Sequence, residues 1–497
     1  MAKRIGGPPL LSFVKEAMMD HILEAALSAA RDAGGAYADG RVVERRSQSV
    51  SVKNGAVDVL SEGTDRGFGV RALCNGAWGF ASSRTLSVDE AARVGREAVA
   101  IARASARHAK AHIELSPRSP ATAEWESPCR VDPFSIPVAE KVALLIDTDG
   151  RMAGIDRLAV RESSIHSNRE TKLYRDSDGA RIVQTTTETG CGVECIAAEA
   201  GEVQQRSYPA FEGDWRQAGW EFVEEQDLAA NAERTAREAV LLLDAPDCPS
   251  DVRTLILADS MLALQVHESC GHPIELDRVL GMEASFAGTS FLTTEKLNGF
   301  RYGSPFVNIT ADATIPGGLG SFGFDDEGVA AQCEPVVKDG VFTGYLTSRE
   351  TAPVVGRASM GAVRADGWNR LPMIRMTNIS LLPGDSSLAD LIRGTERGIL
   401  VDGVRSWSID DRRLNFQFAC QWGRLIENGQ LTDVVKNSTY TGRTPDFWGS
   451  CDGIAGPSEW RVWGVPNCGK GEPMQVGHVG HGVSAARFRN VRVGVKA

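Results

Sequence analysis

Several features are missing from this chain of 497 residues, and each absence narrows the class of protein. There is no run of 18 apolar residues, so the sequence predicts no helix that spans a membrane. Lys3 and Arg4 are followed by Gly-Gly-Pro-Pro and then by Lys15 and Glu16, which is unlike a secretory signal. Acidic residues outnumber basic ones, for a formal net charge of -11. This charge argues against direct binding to the phosphates of nucleic acid.

Cysteine and histidine are also informative, because the cysteines are irregularly spaced and the histidines are few. The ten cysteines show no regular spacing, so the sequence does not indicate a disulfide framework. Without a secretory signal, this pattern predicts a cytoplasmic protein with reduced thiols. The chain has only eight histidines, so two of them close together in the sequence deserve a chemical explanation.

The first half of the chain alternates helical and extended patterns. Apolar periodicity predicts four helices, over residues 17–33, 87–109, 138–150 and 226–243. Asn54-Gly55 and Asn75-Gly76 each separate two extended segments, and Asn-Gly in that position predicts a β-hairpin. We therefore expect an N-terminal domain over residues 17–245, mixed α/β with an antiparallel sheet.

The second half is predicted to be mostly strands. Two prolines in residues 244–249 mark the expected boundary, and a β-rich domain follows over residues 250–497. Asp259 or Ser260 is expected to cap a helix near the start of this domain, and one more helix is predicted at residues 388–398. A chain of this length exceeds a single core, so the predicted fold class is α+β with two domains.

Residues 267–272, His-Glu-Ser-Cys-Gly-His, contain two of the eight histidines, five residues apart. Neutral imidazoles suit zinc, and Glu268 directly after His267 is placed as the general base of metal-assisted hydrolysis. His267 and His272 are five residues apart, which places them roughly 140° apart on an ideal helix. Both can reach one metal only if the helix widens into a π-turn or ends between them. Gly271 and Pro273 favour such a break.

Two histidines leave a catalytic zinc one protein ligand short, because three protein ligands and a water are usual. The sequence leaves the third ligand open among Glu275, Asp277, one of the cysteines, His478 and His481. Cys468 lies in a glycine-rich segment that predicts a turn, and Lys470 beside it would favour the thiolate, which is the ligating form. The alternative for Cys468 is a small buried residue with no role in metal binding.

Five motifs in order give the chain a resemblance to a known family. They are Tyr37-Ala38-Asp39 with Gly67–Ala72, His267-Glu268-x-x-Gly271-His272 with Glu275 and Asp277, Asp325-Asp326-Glu327-Gly328, Pro372-x-x-Arg375-Met376-Thr377-Asn378, and Cys468-Gly469-Lys470. Over nearly its whole length the chain resembles the TldD/PmbA peptidases, and its histidine motif resembles the catalytic TldD branch.

The resemblance implies a zinc-dependent (Zn2+) peptidase with no other cofactor. By position, His267, His272 and Cys468 would bind zinc and Glu268 would activate water. The PmbA/TldE branch lacks the histidine motif and pairs with a TldD subunit. The resemblance therefore implies a heterodimer with a TldE/PmbA-like paralogue, or a homodimer, that encloses a cavity for unfolded or small peptides.

The chain also departs from the family pattern, at Pro273, at Glu472-Pro473-Met474, at Asp402-Gly403-Val404, and by adding His478 and His481. Three other functions stay open: a hydrolase of a non-peptide amide or peptide-like metabolite, a non-catalytic scaffold stapled by zinc, and a modulator of DNA topology. A scaffold would need a fourth protein ligand, such as His478 or His481.

The sequence also predicts roles for an acidic triplet and for one arginine. Asp325, Asp326 and Glu327 are adjacent acids before a glycine, a pattern typical of a solvated turn with a structural role. Arg375 could bind a substrate carboxylate through its planar fork, but the pattern favours a structural ion pair.

Overall fold

The computed structural model describes residues 10–109, 111–285 and 287–494, with side chains from residue 17 onward. The helices in these ranges are α1 (Leu10–Asp32), α2 (Val88–Ala106), α3 (Val138–Gly150), α4 (Glu221–Gln226), α5 (Leu228–Asp244), α6 (Asp259–Val266), α7 (Leu276–Val279), α8 (Leu388–Arg393) and α9 (Thr444–Gly449). A π-turn spans His267–Gly271, and 3-10 turns span His272–Ile274, Thr294–Lys296, Ala352–Val355 and Pro457–Glu459.

The strands of the first half are β1 (Tyr37–Lys53), β2 (Ala56–Cys74), β3 (Ala77–Ser83), β4 (Thr122–Glu126), β5 (Leu158–Asp176), β6 (Arg181–Glu199), β7 (Glu202–Tyr208) and β8 (Asp214–Arg216). Those of the second half are β9 (Asp251–Leu257), β10 (Ile309–Asp312), β11 (Cys333–Lys338), β12 (Val341–Phe342), β13 (Val363–Arg364), β14 (Met373–Ile374), β15 (Asn378–Leu381), β16 (Arg397–Ile409), β17 (Asn415–Glu427), β18 (Gln430–Val435), β19 (Thr439–Arg443), β20 (Cys451–Ile454), β21 (Arg461–Lys470), β22 (Gln475–Val483) and β23 (Ala486–Val493).

The four predicted helices of the first half are present and, apart from α3, differ from the sequence pattern at their ends, whereas the short helix α4 was not predicted. Helix α3 has the predicted bounds, and α2 begins after Ser87, whose hydroxyl accepts a hydrogen bond from the Glu90 N–H. Helix α1 begins at Leu10, seven residues before the predicted start at residue 17. Residues 1–9, which include Lys3, Arg4 and the Gly-Gly-Pro-Pro segment, lie outside the described part of the chain.

The strands of the first half form one sheet in the order β3-β2-β1-β5-β6-β4, with β7 and β8 also paired to β6. Both predicted hairpins are confirmed, because Asn54-Gly55 joins β1 to β2 and Asn75-Gly76 joins β2 to β3. All four turn residues have the left-handed φ that favours Asn and Gly in a two-residue turn. Helices α1 and α2 pack over one part of this sheet, and α3 and α5 pack over another.

The second half is built on two larger sheets. One has the order β16-β9-β23-β19-β17-β18, with β20 paired to β23, and an additional pairing of β16 with β17 closes it into a ring. The other has the order β12-β11-β10-β15-β22-β21. Helix α6 contacts β16 of the first sheet and β15, β21 and β22 of the second. The helix that leads into the histidine pair is therefore held between two sheets, within a continuous apolar core.

The α+β fold class is confirmed, and the second half is β-rich with the histidine helix as predicted. The expectation of only one further helix there is wrong, because α7 and α9 are also present. These helices have four and six residues, which is too short for apolar periodicity to reveal. The division into domains at residues 17–245 and 250–497 stays a prediction. None of the helices in the described ranges is long and apolar enough to cross a membrane.

Candidate metal centre

The two clustered histidines lie at either end of a widened helical turn. Helix α6 continues into the π-turn, and the backbone N–H of His272 donates to the carbonyl of His267, five residues earlier. The two imidazole rings are thereby brought to a centroid separation of 4.9 Å. The predicted widening is confirmed, whereas the predicted side-chain cap is wrong, since Ala258 precedes the helix.

Buried polar side chains hold the π-turn open. The Ser269 hydroxyl donates to the carbonyl of Gln265 and accepts from the indole N–H of Trp448 at 2.9 Å. The Tyr302 hydroxyl donates to the carbonyl of Ser269, also at 2.9 Å. These bonds satisfy groups that an irregular turn leaves without their regular helical partners.

Gly271 is required in this turn by close packing. A Cβ at this position would lie 2.3 Å from the Met376 sulfur, which is closer than any real carbon contact. The glycine therefore lets the turn approach the segment that carries Met376 and Arg375.

The structure brings His267, His272 and Cys468 together, and their donor atoms all lie within 4.8 Å of one another. The His272 Nε2 to Cys468 Sγ distance is 3.8 Å. Tetrahedral zinc, with bonds of about 2.0–2.3 Å, separates its donors by roughly 3.3–3.6 Å. The three buried donors thus fit one such ion after a small closure, and the donor types are those that zinc prefers.

Cys468 lies near the end of strand β21, not in the turn that the sequence predicted. The pairing of β21 with β22 is interrupted between Val465 and Cys468, where Pro466 and Asn467 have no partners in the register. Such a bulge re-aims the following side chain. The cysteine is consequently buried and directed at His272.

The cation beside the cysteine is also different from the predicted one. Burial raises the pKa of the Cys468 thiol, but Arg375 and His272 more than offset this, and the net pKa is below its ordinary value. Arg375 donates to the carbonyls of Cys468 and Gln475. Lys470 instead bonds to Asp277 at 2.7 Å. Arg375 therefore favours the thiolate that metal binding needs.

His481 fixes the orientation of His267 through a chain of hydrogen bonds. Since a carbonyl only accepts, His481 Nδ1 must donate to the carbonyl of Ile379 at 3.0 Å. His481 Nε2 then accepts from His267 Nδ1 at 2.8 Å. This leaves the lone pair of His267 on Nε2, directed at the other donors. His481 thus acts through His267 and is not a fourth donor.

Glu275 orients the second histidine in the same way. Its carboxylate accepts from His272 Nδ1 at 3.0 Å, which leaves His272 Nε2 facing Cys468. Burial raises the pKa of Glu275, but Lys470 and His272 outweigh it, and the net pKa is well below the ordinary value. Arg278 lies 3.4 Å from the same carboxylate. Glu275 therefore supports a ligand and is outside the three-donor group.

Replacement of Glu275 by glutamine is expected to lower zinc affinity roughly 10- to 100-fold, as for other residues that support a metal ligand. Glutamine lacks the negative charge that balances Lys470 and Arg278. Its amide can donate as well as accept, so it no longer fixes the lone pair of His272 on Nε2. Competition with a chromogenic chelator measures the affinity. Glu283→Gln is the control, because its buried carboxylate bonds to the Gly471 N–H and touches neither histidine. Equal affinities in the two variants would contradict this role.

Glu268 is buried beside His267 and is held by an arginine that no sequence motif identified. Arg413 Nη1 donates to Glu268 Oε2 at 2.8 Å. Arg413 lies on the loop between β16 and β17 with a positive φ of 60°. The carboxylate of Glu268 thus has a fixed orientation within electrostatic range of His267, and Glu268 is not one of the three donors.

His478 lies on the same strand as His481 but has a separate partner. Its Nδ1 is 2.6 Å from a carboxylate oxygen of Glu188 in β6. The described residues give the centre three donors, and neither His478 nor Asp277 is among them.

The acidic triplet is structural and fully buried, so the solvated turn predicted for it is wrong. Asp326 pairs with Lys172 at 2.6 Å and with Arg41 at 3.7 Å, and Glu327 pairs with Arg71 at 3.2 Å. These ion pairs join the first half of the chain to the second. Burial and neighbouring Glu327 raise the pKa of the remaining acid, Asp325, to about 7.

Three protein donors that leave a position open, with a carboxylate beside them, define the class of mononuclear metal sites found in hydrolases. Family models for the PmbA/TldA metallopeptidases match three segments: domain 1 at residues 38–102, the central domain at 131–243 and the C-terminal domain at 250–494. The chain belongs to this PmbA/TldD metallopeptidase family.

Individual relatives agree with this assignment. A protein named metalloprotease from Methanocaldococcus jannaschii is 31% identical over 90% of this chain and 95% of its own length. A zinc metalloprotease TldD homolog from Saccharolobus solfataricus is 29% identical over 38% of this chain and 41% of its own. The crystal structure of TldE from Thermococcus kodakarensis has a TM-score of 0.73 at 16% identity, covering 95% of this chain and 99% of that one. The last likeness concerns the fold alone.

Proposed function

We propose that this chain is a zinc-dependent peptidase that hydrolyses unfolded or small peptides. The observation that carries the proposal is the convergence of His267, His272 and Cys468 beside the oriented carboxylate of Glu268. A scaffold held together by a structural zinc would use a fourth protein ligand. Among the described residues, the candidate site has three donors. The open position favours a catalytic site over a structural one.

Zinc is the metal that this donor set favours, because two imidazoles and a thiolate suit a borderline-soft ion in tetrahedral geometry. The name of the Saccharolobus relative, zinc metalloprotease TldD homolog, supports the same metal. When bound, zinc would lower the pKa of a coordinated water and polarise the substrate carbonyl.

The remaining steps belong to residues of the chain. Glu268 would take a proton from the attacking water and return it to the leaving amine, as a general base and then a general acid. Arg413 would hold the carboxylate in place for both transfers. His481 and Glu275 would keep the two ligating imidazoles in the required tautomers.

We propose further that the chain is the catalytic member of a dimer whose cavity admits peptides. The histidine motif supports the catalytic assignment, and the fold likeness to TldE supports a TldE/PmbA-like paralogue as partner, with a homodimer as the alternative. All ten cysteines are free thiols, which is consistent with the proposed cytoplasmic location.

The test is cleavage of a reduced, alkylated protein and of the same protein in its native fold, followed by mass spectrometry. The zinc-loaded chain is assayed alone and with an equimolar TldE-like paralogue, and light scattering gives the assembly. We expect the unfolded protein to be cleaved, the native one to resist, and chelator to abolish cleavage. No cleavage by either preparation that holds stoichiometric zinc would refute the peptidase proposal.

A further inference from the structure

A polar cavity of about 170 Å³ lies beside the candidate metal centre. Its walls come from β5 and β6 of the first half and from residues 364–366 and 475–478 of the second. Gly477, which lines the cavity, is paired with Cys468 in the β21–β22 register. The cavity is therefore adjacent to the strand position that carries the proposed thiolate ligand.

Most charged groups in this cavity are already balanced. The pairs are Arg45 with Glu170 (2.7 Å), Arg45 with Asp366 (3.4 Å), Lys172 with Asp326 (2.6 Å) and His478 with Glu188 (2.6 Å). Each acid that lines the cavity thus has a basic partner at 3.4 Å or less that is neither Arg364 nor Arg375.

Two arginines that line the cavity form no ion pair with a carboxylate among the described residues. Arg375 is almost fully buried, and both of its terminal nitrogens donate to backbone carbonyls. Arg364 donates one terminal nitrogen to the carbonyl of Met376, and its buried Nε has no hydrogen-bond partner. A buried cation without a close ion-pair partner is costly, and a bound anion would offset that cost.

Arg375 is held in place by two backbone carbonyls, one of them the carbonyl of Cys468. Arg364 has no carboxylate within ion-pair distance among the described residues, and Asp326 and Glu188 act on it only at longer range. Burial and the neighbouring Arg375 lower the pKa of Arg364 to about 10, which shows how unfavourable its surroundings are for a cation. A bound anion would remove this penalty.

We propose that Arg364 binds a carboxylate of the peptide substrate in this cavity, beside the metal centre. The assignment rests on the proposed peptidase function and adds a substrate class, namely peptides that present a carboxylate next to the cleavage site. A guanidinium matches a carboxylate through two parallel hydrogen bonds, and the free Nε of Arg364 is available for one of them. The carboxylate can be the C-terminus of the peptide or an acidic side chain.

The experiment measures binding to the metal-free chain, so that it does not depend on catalysis. Three probes are compared by calorimetry: N-acetyl-trialanine with a free carboxylate, its C-terminal amide, and an amide in which the last residue is glutamate. We expect at least one carboxylate probe to bind roughly 10- to 100-fold more tightly than the plain amide, the range for hydrogen bonds to charged groups. Preference for the first indicates a C-terminal carboxylate, and preference for the third an acidic side chain.

Arg364→Gln should remove this preference, while Arg364→Lys should restore part of it. Arg301→Gln is the matched control, because Arg301 is exposed, donates to the Asp339 carbonyl and lies outside the cavity. Circular dichroism verifies that each variant is folded. Equal binding of all probes by the wild type, or a preference that survives in folded Arg364→Gln, would overturn the assignment. Cleavage by the zinc-loaded wild type is scored separately, so failure of the peptidase proposal is recognised independently.

Discussion

Alanine in place of Cys468 is expected to leave the chain unable to retain zinc. Two imidazoles would remain, and the only anionic donor of the group would be lost. The affinity should therefore fall by more than the roughly 10- to 100-fold expected when a supporting residue is changed. Arg375 would at the same time become a buried cation without the thiolate that it faces. Peptide cleavage should disappear together with the metal.

Metal content after gel filtration in the presence of a weak chelator measures this loss. Cys270→Ala is a close control, because Cys270 is a buried thiol on the π-turn itself and is not one of the three donors. It should keep stoichiometric zinc. Retention of zinc by Cys468→Ala, or an equal loss in both variants, would show that the thiolate is not a ligand.

The position of Cys468 shows what sequence reasoning can and cannot reach. Its distance of 196 residues from His272 carries no spacing signal, so local chemistry left the third ligand open among several candidates. The family resemblance selected this cysteine, and the structure places it beside the histidines. What neither source indicated was the bulge at Pro466 and Asn467, because a change in strand register depends on the partner strand.

Local features of the fold, in contrast, were predictable from the sequence. The Asn-Gly turns, the bounds of α3 and the widened turn between His267 and His272 all depend on residues close in sequence. The closure of a sheet by pairing β16 with β17, and the parallel pairing of β9 with β16, depend on residues that lie far apart. Sequence periodicity identifies a strand but not its neighbours.

Within the site, too, contacts between residues close in sequence were easier to predict than contacts between distant ones. Glu275 is three residues from His272, and a carboxylate at that spacing was a recognisable candidate, although its role proved to be support instead of ligation. Arg413 is 145 residues from Glu268, and His481 is 214 residues from His267. Their roles depend on how loops and sheets are arranged in space, so only a structure could assign them.

Glutamine in place of Glu268 is expected to preserve zinc binding and to lower kcat by about 10²- to 10⁴-fold, the usual contribution of a general acid–base residue. The substitution keeps the shape of the side chain and leaves His267, His272 and Cys468 unchanged. An amide can still accept from Arg413, so the local structure should survive. It cannot take a proton from water, and the loss should therefore appear in kcat with little change in KM.

Zinc content and steady-state cleavage of one unfolded peptide are measured on the same preparations. Glu283→Gln serves as the control, since this acid bonds to a backbone N–H near the centre and contacts none of the donors. Its kcat should stay near that of the wild type. If Glu268→Gln retains both zinc and kcat, another group moves the proton, and the ion pair with Arg413 is then purely structural. If it loses zinc, Glu268 takes part in holding the metal, and its assignment as the base must be abandoned.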